Sequence, residues 1–291
     1  MKHLLQLATL SENEIMDILK VASECEQGEH LNELKGKIVA NMFFEPSTRT
    51  QYSFHTAEIK LGADVLAFNA ETSSVLKGET LYDTIKTVES FGVDAFVIRS
   101  SVDEYYKDLV NKVKVPILNA GDGVKDHPTQ SLLDLMTIYQ EFNGFKDLKI
   151  AIVGDVAHSR VASTNIEVME RLGMKVYISG PDQYRVDDYS FIPFLEAIKE
   201  MDIIMLLRIQ HERHKDEMQM SLEQYHQEYG LTMDLVNQMK EKAIIMHPAP
   251  FNRNVEIADD VVECSKSRIF KQTRNGVFVR MAVLLRALEG K

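Results

Sequence analysis

The stretch KIVANMFFEPSTRT, Lys37–Thr50, decides the fold. Its first part, Lys37–Phe44, is almost wholly apolar and reads as a buried strand. It runs directly into Glu45-Pro46-Ser47-Thr48-Arg49-Thr50, where a helix begins. That helix carries Phe54, Ala57 and Leu61 on one face and stops at Gly62, a glycine just past the last periodic residue. Outward from here the same unit recurs. Val65–Phe68, Asp94–Arg99 (DAFVIR) and Pro116–Asn119 read as strands, and a helix with Leu81, Ile85 and Val88 inward stops at Gly92. Short apolar runs alternating with helix-period stretches specify a parallel α/β fold.

A longer helix is expected from Thr129 to Tyr139, with Leu132, Leu133, Leu135, Met136 and Tyr139 mostly inward, and Asn143-Gly144 breaks it. The alternation then restarts with Lys149–Gly154 (KIAIVG), Lys175–Ser179, Asp202–Leu207 (DIIMLL) and Ala243–His247 (AIIMH). The last helix, Val277–Leu288, is expected to pack back on the first half. The predicted architecture is therefore α/β with two domains, each a parallel sheet flanked by helices. The first covers residues 1–143, joined by the C-terminal helix of about 275–291, and the second covers 144–274. In open parallel sheets ligands bind beyond the carboxyl ends of the strands, so the active site is expected at the strand tips, in the interdomain cleft.

Composition narrows the partners. Hydrophobic residues make up 45% and charged residues 26% of the 291, as in ordinary globular chains. No apolar run approaches the roughly 18 residues of a membrane span, and the N-terminus does not read as a signal peptide, so a cytoplasmic location is expected. Cys25 and Cys264 belong to no C-x-x-C pair, which argues against a zinc or redox site. The net charge of −11 makes the chain a poor partner for nucleic acid or anionic membrane. Any anion must be held by a local cluster of positive groups.

The strand tips supply such clusters. Ser47, Thr48 and Arg49 stand where free backbone N–H groups and the positive end of a helix dipole favour a phosphate. A Ser-Thr pair alone is usually a cap, but no cap requires Arg49. Arg99 ends the third strand, which by itself could be a solvated terminus. Asn119-Ala120-Gly121-Asp122-Gly123 follows the fourth strand, and His127-Pro128-Thr129-Gln130 opens the next helix. A neutral His127 there could donate to a carbonyl oxygen. The loop Glu71–Thr80, with Ser73, Ser74 and Lys77, reads alone as a surface segment. IAIVGD (Ile150–Asp155) starts like a dinucleotide-binding strand, but Val156-Ala157-His158-Ser159 lacks the further glycines, which disfavours a nicotinamide cofactor. Arg160 and Arg208 stand at strand tips of the second half, and planar guanidinium groups suit carboxylates. Two anionic small molecules are the expected ligands.

Taken together, the Phe43–Thr50 region, NAGDG (Asn119–Gly123), HPTQSLLDL (His127–Leu135), Gly154–Arg160, RIQHER (Arg208–Arg213) and HPAP (His247–Pro250) closely resemble the aspartate/ornithine carbamoyltransferases, in order over nearly the whole chain. HPAP and RIQxER resemble the aspartate branch; the ornithine branch carries a Cys-containing HCLP segment. The resemblance implies transfer of a carbamoyl group from carbamoyl phosphate to L-aspartate, an early step of pyrimidine biosynthesis. It implies that Ser47, Thr48, Arg49, Thr50 and Arg99 bind the phosphate and that Thr50, Arg99 and His127 polarise the carbonyl oxygen. Gln130 and the backbone at Ala249 and Pro250 would hold the carbamoyl amide. Arg160, Arg208 and Gln210, with Lys77, would bind aspartate. Ser73 and Lys77 would come from a neighbouring subunit, making the catalytic unit a homotrimer, alone or with regulatory chains or other pathway enzymes. No metal or organic cofactor is implied. Two positions depart from the pattern: Ala249, where Leu is usual, and Leu76, where a second basic residue often stands.

Overall fold

The structure is a computed structural model, and it describes residues 2–69, 78–123, 125–209 and 220–289. The chain divides into two compact units, Met1–Met136 with Thr273–Lys291, and Thr137–Gln272. Each is built on a four-stranded parallel sheet flanked by helices.

In the first unit, α1 (Glu12–Glu26) precedes β1 (Ile38–Phe43), α2 (Thr48–Leu61), β2 (Asp64–Asn69), α3 (Leu81–Ser90), β3 (Ala95–Ser100), β4 (Ile117–Asp122) and the start of α4 (Pro128–Phe142). β1 is buried from Val39 to Phe43 and β3 throughout, as expected for parallel strands covered on both faces. Strand order is β2-β1-β3-β4. The chain thus adds β2 on one side of β1 and β3 on the other, and this reversal opens a crevice at the carboxyl ends of β1 and β3. Register places Phe43 opposite Arg99 there. The core beneath gathers Met42, Ile85, Phe96, Ile98 and Ile117.

Several boundaries differ from the sequence reading, each for a local reason. β4 continues past Asn119 to Asp122 because its polar side chains are satisfied inside: Asp122 accepts from the N–H groups of Glu104 at 2.8 Å and Asp126 at 2.6 Å. α1 was not anticipated. Ser11 and Glu14 form its capping box, and Ile15, Ile18, Leu19, Ala22 and Cys25 are its buried face. The C-terminal helix begins at Ile269, before Val277, because its first turns are polar and hide the period. From Thr273 onward this helix is tied to the first unit. Arg274 pairs with Glu26 at 3.0 Å, and Arg286 with Glu14 at 2.8 Å.

The second unit repeats the scheme with β5 (Lys149–Val153), α5 (Arg160–Arg171), β6 (Lys175–Ser179), α6 (Phe194–Glu200), β7 (Ile203–Leu206), α7 (Leu222–Tyr229), α8 (Met233–Val236) and β8 (Ile244–Met246). Strand order is β6-β5-β7-β8, so the reversal falls between β5 and β7, where Val153 pairs with Leu206. Val153, Phe194, Ile198, Ile204, Leu206 and Ile245 belong to its core. Among the described residues no helix is long and apolar enough to cross a membrane.

Candidate active site

The reversal of strand order in the first sheet brings together the segment after β1 and the end of β3. Phe44 N–H donates to Arg99 O at 2.9 Å, which lays the Glu45–Ser47 turn beside Arg99. Ser47 is the N-cap residue of α2, yet its side chain makes no capping hydrogen bond. Its hydroxyl is therefore not used up by the helix, as the ordinary cap reading would require. Thr48 and Arg49 are exposed in the first turn, while Thr50 is buried.

Arg99 is 7% exposed, and its guanidinium is fixed from two sides. Nη2 lies 2.9 Å from Glu45 Oε2, and Nη1 donates to Ala120 O at 3.2 Å. Gly121 connects it to the next group. Its φ is +120°, and a Cβ built there would stand 2.8 Å from Arg99 Nη1 and 3.7 Å from His127 Cδ2. Arg99 and His127 therefore converge on one bare stretch of backbone, which only glycine supplies. His127 is buried immediately before α4, and Gln130, three residues on, donates to Asp134 Oδ1 at 3.0 Å. Thr50, Arg99, His127 and Gln130 are thus all buried groups of one unit, an arrangement suited to polarising a carbonyl next to a phosphate.

The second sheet offers a parallel construction. Gly154 (φ +123°) turns the chain after β5, with an added Cβ only 3.3 Å from Leu207 and 3.4 Å from Tyr225 Oη. Ser159 then caps α5 by accepting from Ala162 N–H at 3.2 Å, and Arg160 opens the helix, partly exposed. Arg208 lies two residues beyond β7, also partly exposed. Its Nε lies 3.5 Å from Asn252 Oδ1, and Asn252 is held by its own donations, Nδ2–H to Ile209 O at 2.9 Å and N–H to Glu256 Oε1 at 2.5 Å.

The buried Glu256 reaches a second group. His247 Nδ1 accepts from Ala249 N–H at 2.9 Å, which leaves the ring proton on Nε2, 3.3 Å from Glu256 Oε1. Ala249, at φ +51° before a cis bond to Pro250, is thereby tied through His247, Glu256 and Asn252 to the Arg208 tip. Ala249 and Pro250 lie in this second unit, whereas Ser47–Thr50, Arg99, His127 and Gln130 lie in the first. Ser73, Lys77 and Gln210 lie outside the described residues. Glu45, Gly121, Asn252 and Glu256 were not singled out from sequence. Their only signals were positions inside the quoted motifs, the acidic one of the Phe43–Thr50 region for Glu45 and the first glycine of NAGDG for Gly121; Asn252 and Glu256 had none.

One grouping among the described residues, Glu24, Glu29 and His30 at the end of α1, has metal-ligand spacing, and it is remote in sequence from every strand tip.

Residues 2–140 match the family described as aspartate/ornithine carbamoyltransferase, carbamoyl-P binding domain. Residues 146–287 match its companion, the Asp/Orn binding domain. The chain belongs to the aspartate/ornithine carbamoyltransferase family. It is a transferase, and the two arginine pairs divide between the two matched domains: Arg49 with Arg99, and Arg160 with Arg208. Solved structures of the family agree in fold. The catalytic subunit of M. Jannaschii aspartate transcarbamoylase is 34% identical, with 100% of each chain covered and a TM-score of 0.88. Aspartate transcarbamoylase from Trypanosoma cruzi in complex with carbamoyl phosphate is 31% identical, covering 99% of this chain and 96% of that one, with a TM-score of 0.89. The same enzyme in complex with carbamoyl phosphate and aspartate is 30% identical, covering 99% and 97%, with a TM-score of 0.88.

Proposed function

We propose that this chain transfers the carbamoyl group of carbamoyl phosphate to the α-amine of L-aspartate. The products are N-carbamoyl-L-aspartate and phosphate, and the reaction serves an early step of pyrimidine biosynthesis in the cytoplasm. The observation that carries this reading is the repeated placement. At the reversal of strand order in each sheet, a helix-start arginine (Arg49 or Arg160) accompanies an arginine at a neighbouring strand end (Arg99 or Arg208). Two such places suit two anions. The relatives solved with carbamoyl phosphate and aspartate are consistent with that pairing.

In this reading residues 1–143, with the helix of about 275–291, form the carbamoyl-phosphate domain, and residues 144–274 form the aspartate domain. Ser47, Thr48 and Arg49 hold the phosphate. Thr50, Arg99 and His127 polarise the carbonyl oxygen, and Gln130 with the backbone at Ala249 and Pro250 orients the amide. Arg160, Arg208, Gln210 and Lys77 receive the two carboxylates of aspartate. The uncharged amine forms a bond to the carbonyl carbon, and the oxygen takes up the charge. Collapse then breaks the bond to phosphate, which leaves with the proton given up by the nitrogen. Alignment of this kind can supply about 7–11 kcal/mol of the barrier reduction. The choice of aspartate over ornithine follows from charge. A second carboxylate is attracted to Arg208 where an ammonium is repelled, each by about 4 kcal/mol at 4 Å in a surface-like dielectric.

Ser73 and Lys77 complete the site from a neighbouring copy, in a homotrimer. Support comes from exposed apolar side chains on two elements of the first unit. Tyr52 and Ile59, a helical repeat apart on α2, are 66% and 61% exposed, and Leu66 on the edge strand β2 is 38% exposed. The function is tested by phosphate release from carbamoyl phosphate with aspartate or ornithine offered side by side. Release that depends on aspartate is expected; release with ornithine alone would refute the reading.

A further inference from the structure

Arg280 lies on the C-terminal helix within the first unit and is 3% exposed. Its hydrogen bonds all go to neutral oxygens. Nη1 donates to Ser53 Oγ at 3.1 Å and to Gly276 O at 2.9 Å, and Nη2 donates to Thr129 Oγ1 at 3.3 Å. The guanidinium also stacks over Phe54, 5.1 Å from the ring centroid. Burial first, and the like charge of Arg99 second, press it below the usual guanidinium range. A buried cation whose recorded bonds include no carboxylate is costly to keep, and packing alone does not call for one. A Cβ on Gly276 would stand 2.6 Å from Nη1, so the helix has been thinned to admit the group.

What the fork reaches explains its retention. Ser53 lies one turn after Arg49 and Thr50 on α2, and Thr129 stands between His127 and Gln130 at the start of α4. A single planar guanidinium therefore joins the second turn of α2 to the first turn of α4, the two helices whose starts carry the candidate phosphate and carbonyl groups. Because its charge acts on Arg99, it also adds to the positive potential behind the same place.

We propose that Arg280 is a positioning residue of the carbamoyl-phosphate half-site: it ties the start of α2 to the start of α4 from behind and contributes a buried positive charge that a bound phosphate offsets. The inference rests on the assignment of that half-site to Ser47–Thr50, Arg99 and His127.

The full-length enzyme tests it through three changes: Arg280→Met, Arg280→Lys, and the double change Ser53→Ala with Thr129→Val, which removes two acceptors and leaves the charge. Each variant is melted, then measured for KM of both substrates and for Kd of inorganic phosphate. Arg280→Met should raise the carbamoyl phosphate KM and the phosphate Kd by roughly tenfold or more, with aspartate KM within about threefold. Lys cannot span both hydroxyls, so Arg280→Lys and the double variant should each give smaller shifts, of about threefold, in the same two constants. If Arg280→Met does not fold, these two decide the matter. A purely structural Arg280 would lower Tm and leave both constants within about twofold of wild type in every folded variant, and that result would overturn the inference. Arg49→Ala is the control. If it too leaves both constants unchanged, the half-site assignment fails; if it weakens them and the Arg280 set does not, only the inference about Arg280 fails.

Discussion

Arg99 Nη2 stands 2.9 Å from Glu45 Oε2, so the arginine that closes β3 is aimed by an acidic residue from the turn after β1. Both groups are largely buried, and each limits where the other can go. An anion arriving at the start of α2 would share Arg99 with Glu45 and take over part of its role as counter-charge.

Glu45→Ala should therefore destabilise the free enzyme by roughly 2–4 kcal/mol, the cost of leaving a buried cation without its partner. Phosphate should restore more stability to this variant than to wild type. Thermal melts with and without phosphate check this, and equal phosphate-induced shifts in the two proteins would show that Glu45 and the anion do not share Arg99.

Gly121→Ala should lower kcat about tenfold or more while costing only about 1–3 kcal/mol of stability for its left-handed backbone. The added methyl would sit 2.8 Å from Arg99 Nη1 and must displace that nitrogen from His127's neighbourhood. Paired measurements of turnover and Tm decide the point: loss of stability with unimpaired turnover would separate Arg99 from the chemistry.

Arg49→Ala and His127→Ala should each reduce turnover by about 10²–10³-fold, the usual cost of one preorganised donor, with circular dichroism unchanged. A Lys77→Ala protein should be equally poor alone. Unfolded and refolded as a mixture, inactive Arg49→Ala and Lys77→Ala chains should regain part of the wild-type rate, because some sites then receive both intact residues. No recovery would exclude a site shared between copies.

Glu58 is fully buried on α2, bonded to Asn41 Nδ2 at 2.8 Å, and burial pushes its carboxyl up from 4.5 to about 8. The folded chain then holds this proton where the unfolded chain has lost it. The stability it contributes is complete below pH 4.5 and falls away as pH rises to about 8. Glu58→Gln should abolish this component and gain on wild type by roughly 3–5 kcal/mol between pH 5 and 9. Urea melts across that range provide the check; parallel pH profiles for the two proteins would contradict it.

How far the sequence could be read follows from what each element hides. β1, β3, β5 and β7 are short runs that are almost wholly buried, so Lys37–Phe44, Asp94–Arg99, Lys149–Gly154 and Asp202–Leu207 lie within a residue or two of their observed limits. Gly62, at φ +74°, ends α2 where the period stops. Other features have no local signature. β4 passes through Asn119 and Asp122 because distant backbone groups satisfy them: Asn119 Nδ2–H donates to Leu5 O, and Asp122 accepts from Glu104 N–H, partners that lie outside the strand's own stretch of sequence. The arginines were visible as residues that neither strand nor cap requires. Their aim was not, since it depends on Glu45 and Asn252, whose roles exist only once separate strands are placed side by side. Arg280 was the least legible, lying more than 140 residues from both Ser53 and Thr129 in the chain.

The central claim is that the two arginine pairs serve two different anions. Steady-state kinetics of Arg99→Lys and Arg208→Lys, with both substrates varied, test it most directly. Arg208→Lys should raise the aspartate KM about tenfold or more and leave the phosphate Kd within about twofold, while Arg99→Lys should weaken phosphate and cut kcat about tenfold or more. If both variants weakened the same substrate, or neither weakened any, the account of two separate anion sites would be wrong.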